Sequence, residues 1–447
     1  MKSRRLLAIT LTIMLVVTTI SAQEISEKKD IAVFSLSYAD WSIPSGALGL
    51  VDQSLQSVFI DLGRFNIYGM TYRLEGNDIQ TFINEIKKYK EENVEIPEEV
   101  RLGETTFTEA DFNKLVGSFI VVIPVMSFYD VRLEDGEYEA DIQTTFTFVD
   151  VQDGTAMASF QIDTSGSGDS EREAVKGAVD AIPMQLQYKI RSISAFQLKT
   201  GIIDIVGREY IIEFGSNMGV KVGDEYALVD TRVLPSGRQM SEETGLMVIK
   251  NVDSEISAGQ VLYSKGKPNI GAQLQEIPRM GLDAIVYMQY VPVEDDTETI
   301  AKEKSRVVLG LRAVATRGFF GVRPVAGVEI PLGDSLIIWF PVNSYVGVEA
   351  NWMFGRLSLN PSVVAGVGAL VPITADDTSD ADVIGSFGGT AQMAASFLFN
   401  RDMKITFQGG YTFYAGLIDK SVLNLFETTN PNAYSGPFLG GGITFKL

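Results

Sequence analysis

The sequence predicts an α+β domain, then a small β module, then an eight-stranded antiparallel transmembrane β-barrel. Three observations lead there. The last third alternates apolar and polar residues with period two, in segments separated by alternately long and very short connections. The middle carries a glycine-rich turn between short strand-like runs. The first third switches from helix-spaced apolar residues to strand alternation. With 447 residues the chain exceeds one ordinary core, and 45% apolar against 21% charged residues mark a chain that folds.

The amino terminus reads as an address. Lys2, Arg4 and Arg5 precede the apolar run Leu6–Ile20, and Thr18-Thr19-Ile20-Ser21-Ala22 supplies small residues for cleavage near Ala22/Gln23. This is the pattern of a secretory signal peptide over residues 1–22, with an uncleaved anchor as the alternative. Cleavage removes three positive charges and takes the net charge from −20 to −23. That acidity argues against nucleic-acid partners. The chain has no His and no Cys. Disulfides, lipobox acylation, thiolate and imidazole catalysis and ordinary zinc sites are thereby excluded. No catalytic, cofactor-binding or metal-ligating set is expected, and the protein is predicted not to be an enzyme.

Residues 23–195 read as the α/β domain. Ile31–Ser37 is a strand-type run. Leu48, Val51, Leu55, Val58, Phe59 and Leu62 share a helix face that Gly63 ends. Phe65–Leu74 returns as a strand, and Ile79, Phe82, Ile83 and Ile86 mark a second helix. Charged Glu91–Glu104, with Pro97, reads as a surface loop. Phe107–Val116 reads as a short helix capped by Thr108, with Asp111 three residues on. Strands follow at Phe119–Leu133, Tyr138–Val151 and Thr155–Asp163, separated by Asp135-Gly136 and Asp153-Gly154 hairpin turns. Ser165-Gly166-Ser167-Gly168 leads into a helix starting near Asp169–Ser170, which Pro183 should kink or split. Ile31-Ala32-Val33-Phe34, the helix before Phe65 and the hairpins resemble the curli-secretion/TolB amino-terminal type of periplasmic domain. The resemblance implies a periplasmic assembly or scaffolding role, with self-association. The curli-secretion protein is a lipoprotein, and this chain without cysteine departs from it.

Residues 196–278 read as the β module. Thr200–Val206, Arg208–Phe214 and Asp224–Val229 are strand-like, and Gly245–Val252 and Gln260–Tyr263 complete the set. Gly215, Gly219 and Gly223 supply the turn before Asp224. Glu209-Tyr210-Ile211-Ile212 followed by that turn resembles the carboxy-terminal domain of the flagellar assembly T protein, which implies an SH3-like barrel. No Gly-Lys-Ser/Thr follows, so the glycines are read as shaping a turn and not as holding phosphate.

Residues 279–447 read as the membrane barrel, with strands near 282–292, 305–315, 319–330, 343–354, 356–371, 384–399, 403–415 and 434–447. Residues 293–304, 331–342, 372–383 and 416–433 form long connections; Thr316–Gly318, Gly355 and Asn400–Asp402 are short. Long loops on one side and tight turns on the other mark an outer-membrane barrel. Val307, Leu309, Leu311, Ala313 and Ala315 share one face of their strand, with Gly310 and Arg312 on the other. The apolar set must face lipid, since a charge toward acyl chains costs roughly 2–4 kcal/mol at the midplane. The architecture resembles the small OmpA-type outer-membrane barrels.

The charges expected inside are Asp283, Arg312, Arg323, Glu329, Glu349, Lys404 and Lys446. Eight strands leave room only for side chains, so these must pair. An Arg312/Arg323–Glu349 network near mid-height is expected to plug the lumen. Phe320, Trp352, Phe354, Phe397, Phe399 and Phe445 should form an aromatic girdle at the short-turn end. Acidic Asp376–Asp382 is read as a solvated loop, with a weak Ca²⁺ site as the alternative. The expected function is a non-enzymatic outer-membrane protein anchoring periplasmic assembly or scaffold modules. Its expected partners are outer-membrane lipid and periplasmic proteins or further copies of itself. A pore or transport component, and an adhesin-like barrel acting through its long loops, are the alternatives.

Overall fold

The computed structural model describes residues 25–447 except 39–42, 70–72, 74–77, 92–97, 103–104, 293–304, 333–338, 373–384 and 418–433. The signal segment, most of the long barrel connections and the Asp376–Asp382 loop lie outside the described residues.

The first sheet is mixed and six-stranded. It comprises β1 (Lys29–Val33), β2 (Ser37–Tyr38), β3 (Phe65–Gly69), β6 (Ile120–Glu134), β7 (Glu137–Asp150) and β8 (Thr155–Gly168). β1 runs parallel to β3 and β6, while β6, β7 and β8 form an antiparallel meander. Helices α1 (Ser45–Asp61), α4 (Glu171–Asp180) and α5 (Ile182–Ser192) cover one face, where Val51, Leu55, Phe59, Ala174 and Leu186 meet Ile31, Phe146 and Phe148. Helices α2 (Ile79–Glu91) and α3 (Glu109–Gly117) cover part of the other, through Phe82, Phe112 and Leu115 against Ala32, Val121 and Ile123. The Thr108 hydroxyl caps α3 by accepting from the Asp111 N–H, and Pro183 begins α5 where its missing N–H is harmless.

Two expectations change here. The charged segment after α2 is not wholly loop: β4 (Glu99–Leu102) pairs with β5 (Thr105–Thr108). Ser165–Gly168 is not a linker either but the end of β8, where Gly166 presses on the backbone of α4 at Gly177. Both glycines are small because strand and helix backbones touch there.

The middle sheet is a closed six-stranded barrel of β9 (Lys199–Val206), β10 (Glu209–Ile212), β11 (Glu225–Val233), β12 (Gln239–Val252), β13 (Ser257–Ser264) and β14 (Gln273–Ile277). Its core gathers Leu198, Ile202, Ile212, Tyr226, Met247 and Leu274. β14, which closes the barrel between β11 and β9, has no counterpart among the expected strands.

The last sheet is a closed antiparallel barrel of β15 (Leu282–Pro292), β16 (Ser305–Ala315), β17 (Val322–Leu332), β18 (Trp339–Ala350) with β19 (Trp352–Phe354), β20 (Leu357–Pro372), β21 (Gly385–Leu398), β22 (Met403–Leu417) and β23 (Tyr434–Lys446). β18 and β19 are one strand interrupted at Asn351, whose N–H turns to the Gly321 carbonyl; the barrel therefore has eight strands. β15 joins β23 and closes it. Leu309, Leu311, Val328, Val346, Val363, Phe407, Tyr411 and Leu439 point outward and are exposed, while the interior holds the buried charged and polar side chains together with apolar clusters around Ile285, Val314 and Val364 and around Val291, Val308 and Phe438. That is the inverse of a water-soluble barrel and the pattern of an outer-membrane-type one. No described helix is long and apolar enough to cross a membrane; here strands would do so.

Candidate functional site

The two barrels and the α/β domain meet at a buried knot of charge. α1 ends at Leu62, and Gly63, at φ 64°, turns the chain so that Arg64 enters the interface. Arg64 donates to Glu276 through Nη1 at 2.7 Å and Nη2 at 3.1 Å, and to the Phe196 carbonyl at 2.8 Å. Arg191, in the last turn of α5, is fully buried. Its Nε donates to Glu276 at 2.6 Å, its Nη2 to Asp224 at 2.9 Å and its Nη1 to the Arg279 carbonyl at 3.1 Å. Asp224 also accepts from Arg317, in the first short turn of the large barrel, at 2.8 Å. Arg317 reaches back to Gln187 of α5 at 2.7 Å. One cluster thus ties together the α/β domain and both barrels.

The electrostatics are self-consistent. Burial alone would raise the Glu276 carboxyl, but Arg64 and Arg191 outweigh it and hold the group well below the usual carboxylate range. Burial opposes charge on Arg191, and Asp224 and Glu276 overcome that, leaving it firmly cationic. Burial draws down Lys221 nearby. Buried ions need such complete pairing, because an unpaired one costs several kcal/mol.

The sign of the pH dependence follows. Glu276 titrates lower in the folded chain than its ordinary value of 4.5, so its contribution is complete above that value and is lost only as pH falls below it. Denaturant midpoints of the soluble modules should therefore hold steady in this respect from neutrality to about pH 5 and drop in stronger acid. Glu276→Gln should lower stability at neutral pH by about 3–5 kcal/mol and flatten the acid limb.

A second seam seals the large barrel. Ala227, Leu246, Val248, Leu262 and Ile277 of the small barrel pack against Leu398, Phe320 and Met353. Arg279 donates to Glu225 at 3.2 Å and pairs with Asp402 at 2.8 Å, and Lys446, inside the last strand, pairs with Glu225. Arg356 lies 3.9 Å over the Tyr263 ring, and Arg401 pairs with Glu243 at 2.8 Å. The small barrel is a cork on the short-turn end, not a tethered bead.

Inside the barrel, the expected charged residues Asp283, Arg312, Arg323, Glu329, Glu349 and Lys446 are buried, with Lys404 half-buried among them. Arg323 pairs with Glu349 at 2.5 Å and Lys404 with Asp283 at 2.6 Å. The expected network differs in two ways. Arg323 and Glu349 face each other near the short-turn mouth, not at mid-height. Arg312 does not bond Glu349: its Nε donates to the Tyr345 hydroxyl at 3.2 Å. Glu329 instead accepts from Tyr287 at 2.7 Å and Gln289 at 3.1 Å. Arg306, buried toward the other end, was absent from the expected set. Cavities near the mouth hold about 30 Å³, lined by Glu225, Asp283, Arg323 and Lys446, and about 20 Å³, lined by Arg312 and Glu349. Each has room for about one water.

Of the girdle, Trp352, Phe354, Phe397, Phe399 and Phe445 are exposed on the outer wall. Phe320 is not: it lies partly buried against the small barrel, beneath Lys250. It precedes β17, so strand alternation does not govern it.

Neither a family model nor a curated protein matches the sequence. Among solved structures, the chain is similar to lipoprotein GNA1162 from Neisseria meningitidis, at 8% identity over 36% of this chain and 97% of that one, with a TM-score of 0.22. It is also similar to Ail, the attachment invasion locus protein of Yersinia pestis, at 12% identity over 37% of this chain and 97% of that one, with a TM-score of 0.23. Both likenesses are local and too slight to transfer a function; the closed eight-stranded barrel with its apolar wall stands on its own geometry as an outer-membrane-type barrel.

Proposed function

We propose that the protein is a non-enzymatic anchor of the bacterial outer membrane that holds its two soluble modules in a fixed pose on the periplasmic side, where they organise periplasmic proteins or further copies of the chain. The observation that carries this reading is the knot of Arg64, Arg191, Arg317, Asp224 and Glu276, which joins the α/β domain, the small barrel and the membrane barrel. A flexible tether would serve if the barrel merely retained the modules; a buried three-way junction serves a defined geometry. The corked, side-chain-filled lumen favours this role over transport.

Two measurements test it. In planar bilayers the purified chain should give no stable conductance steps; large, long-lived channels would overturn the plugged-barrel reading. In intact cells, crosslinkers on the exposed surface of the α/β domain should capture discrete periplasmic partners or the chain itself. Capture of neither would count against the scaffold role.

A further inference from the structure

β11 and β12 are longer than the small barrel requires. β11 pairs with β14 only over Glu225–Val229, and β12 pairs with β13 only from Gly245 onward. Past those points the two strands pair only with each other, Thr231 with Ser241, Arg232 with Met240 and Val233 with Gln239. Residues 230–242 therefore leave the barrel as a two-stranded hairpin, tied at its base by Thr231 to Gln273 and by Glu242 to Lys265, and closed by the Leu234–Arg238 turn with Gly237 at φ 76°.

Alternation fixes which way its faces look. On β11, Glu225 pairs with Lys446 of the large barrel, and Ala227 and Val229 belong to the seam packed on Phe320, Met353 and Leu398. On β12, Val248 and Leu246 do the same; a bulge at Thr244 then brings Glu243 opposite Val229 onto this face, where it pairs with Arg401 in the turn between β21 and β22. The same face continues outward through Thr231, whose hydroxyl lies 3.2 Å from that of Ser241, to Val233, which is 68% exposed. From Val229 to Val233 a strand advances about 13 Å. Arg401 stands on the rim of the wall, and an eight-stranded barrel is just wide enough for its own side chains. The hairpin therefore runs from beneath the barrel out past its edge. Phe399, two residues before Arg401, is 63% exposed on that edge, at the level where aromatic side chains meet headgroups.

We propose that residues 230–242 form an interfacial foot that lies against the phospholipid headgroups beside the barrel. Val233 faces the acyl boundary, and Arg238, exposed in the turn, reaches lipid phosphates, while Arg232 lies on the opposite face beside Met240. The occupant is argued from continuity: across one bulge at Thr244 of β12, the face of β11 that packs on the protein wall continues to where the wall ends and lipid begins. The proposal rests on the outer-membrane reading above.

The chain has no cysteine, so single-cysteine variants take one spin label each. The full chain is reconstituted in phosphatidylethanolamine/phosphatidylglycerol vesicles with the label at Val233→Cys, at Phe399→Cys, or at Leu133→Cys, which sits at the far end of β6 from the junction. Collision rates with oxygen and with a water-soluble nickel chelate are then compared. The oxygen-to-nickel ratio at position 233 should be several-fold above that at 133 and approach that at 399. A ratio at 233 equal to that at 133, with 399 still reporting lipid, overturns the foot and leaves the membrane reading intact. If 399 also matches 133, the chain is not in the bilayer and both readings fall.

Discussion

Arg191→Ala should detach the α/β domain from the two barrels. Arg191 donates to Glu276, Asp224 and the Arg279 carbonyl from a fully buried position, and alanine offers none of these bonds. Arg64 and Arg317 would remain on Glu276 and Asp224, but each carboxylate would lose a charged donor in a site closed to water. Breaking a buried pair from one side costs about 3–5 kcal/mol. Docking should weaken accordingly, and protease should gain access to the connection around residues 193–198. Arg191→Lys should rescue only part of the loss, because one ammonium cannot span both carboxylates in the guanidinium geometry. The membrane barrel should keep its resistance to detergent unfolding. A proteolytic pattern unchanged by Arg191→Ala would contradict this role for the knot.

Gly219→Val should disrupt the same junction by sterics alone. Gly219 has φ 73°, and a Cβ there would fall on the carbonyl of Leu62, at the end of α1. The approach is reciprocal, since a Cβ on Gly63, at φ 64°, would come within 2.7 Å of the Gly219 nitrogen. Two backbone turns touch where neither has a side chain to withdraw. A β-branched residue in the left-handed region costs on the order of 1–3 kcal/mol before any clash. Gly207→Val separates the two effects: Gly207 has φ 64° with open space around it, so it suffers the strain without the collision. Urea titrations should show Gly219→Val losing clearly more stability than Gly207→Val, with new cleavage near the junction. Equal losses would mean that the close approach contributes nothing.

The large barrel was legible in the sequence because a membrane wall leaves each residue two choices, lipid or lumen. β15 and β16 lie where the alternation places them, and β20 through β23 follow it closely. Alternation gives the side of a residue but not its height or partner. That is why Arg312 was expected on Glu349 and is found on Tyr345, and why Phe320, in a turn, was assigned to the lipid face. β14 carries no readable strand signal because Gln273-Leu274-Gln275-Glu276-Ile277 is short and mostly polar, its glutamate turned to the buried arginines. The knot itself has no local signature. Arg64 and Glu276 are 212 residues apart, and no periodicity connects them. The one available hint was Arg191, a charge beside the buried stripe Ile182, Leu186 and Ile190 of α5.

A distance measurement tests directly whether the α/β domain and the two barrels form one rigid body anchored by the large barrel. Spin labels on Arg172→Cys, exposed on α4, and Phe354→Cys, exposed on the barrel's outer wall, report the span across both seams in the reconstituted full chain. Double electron–electron resonance should give a single narrow distance distribution that broadens when Arg191→Ala is added. A broad distribution in the otherwise unaltered chain would show that the modules swing on a tether, and would contradict the account.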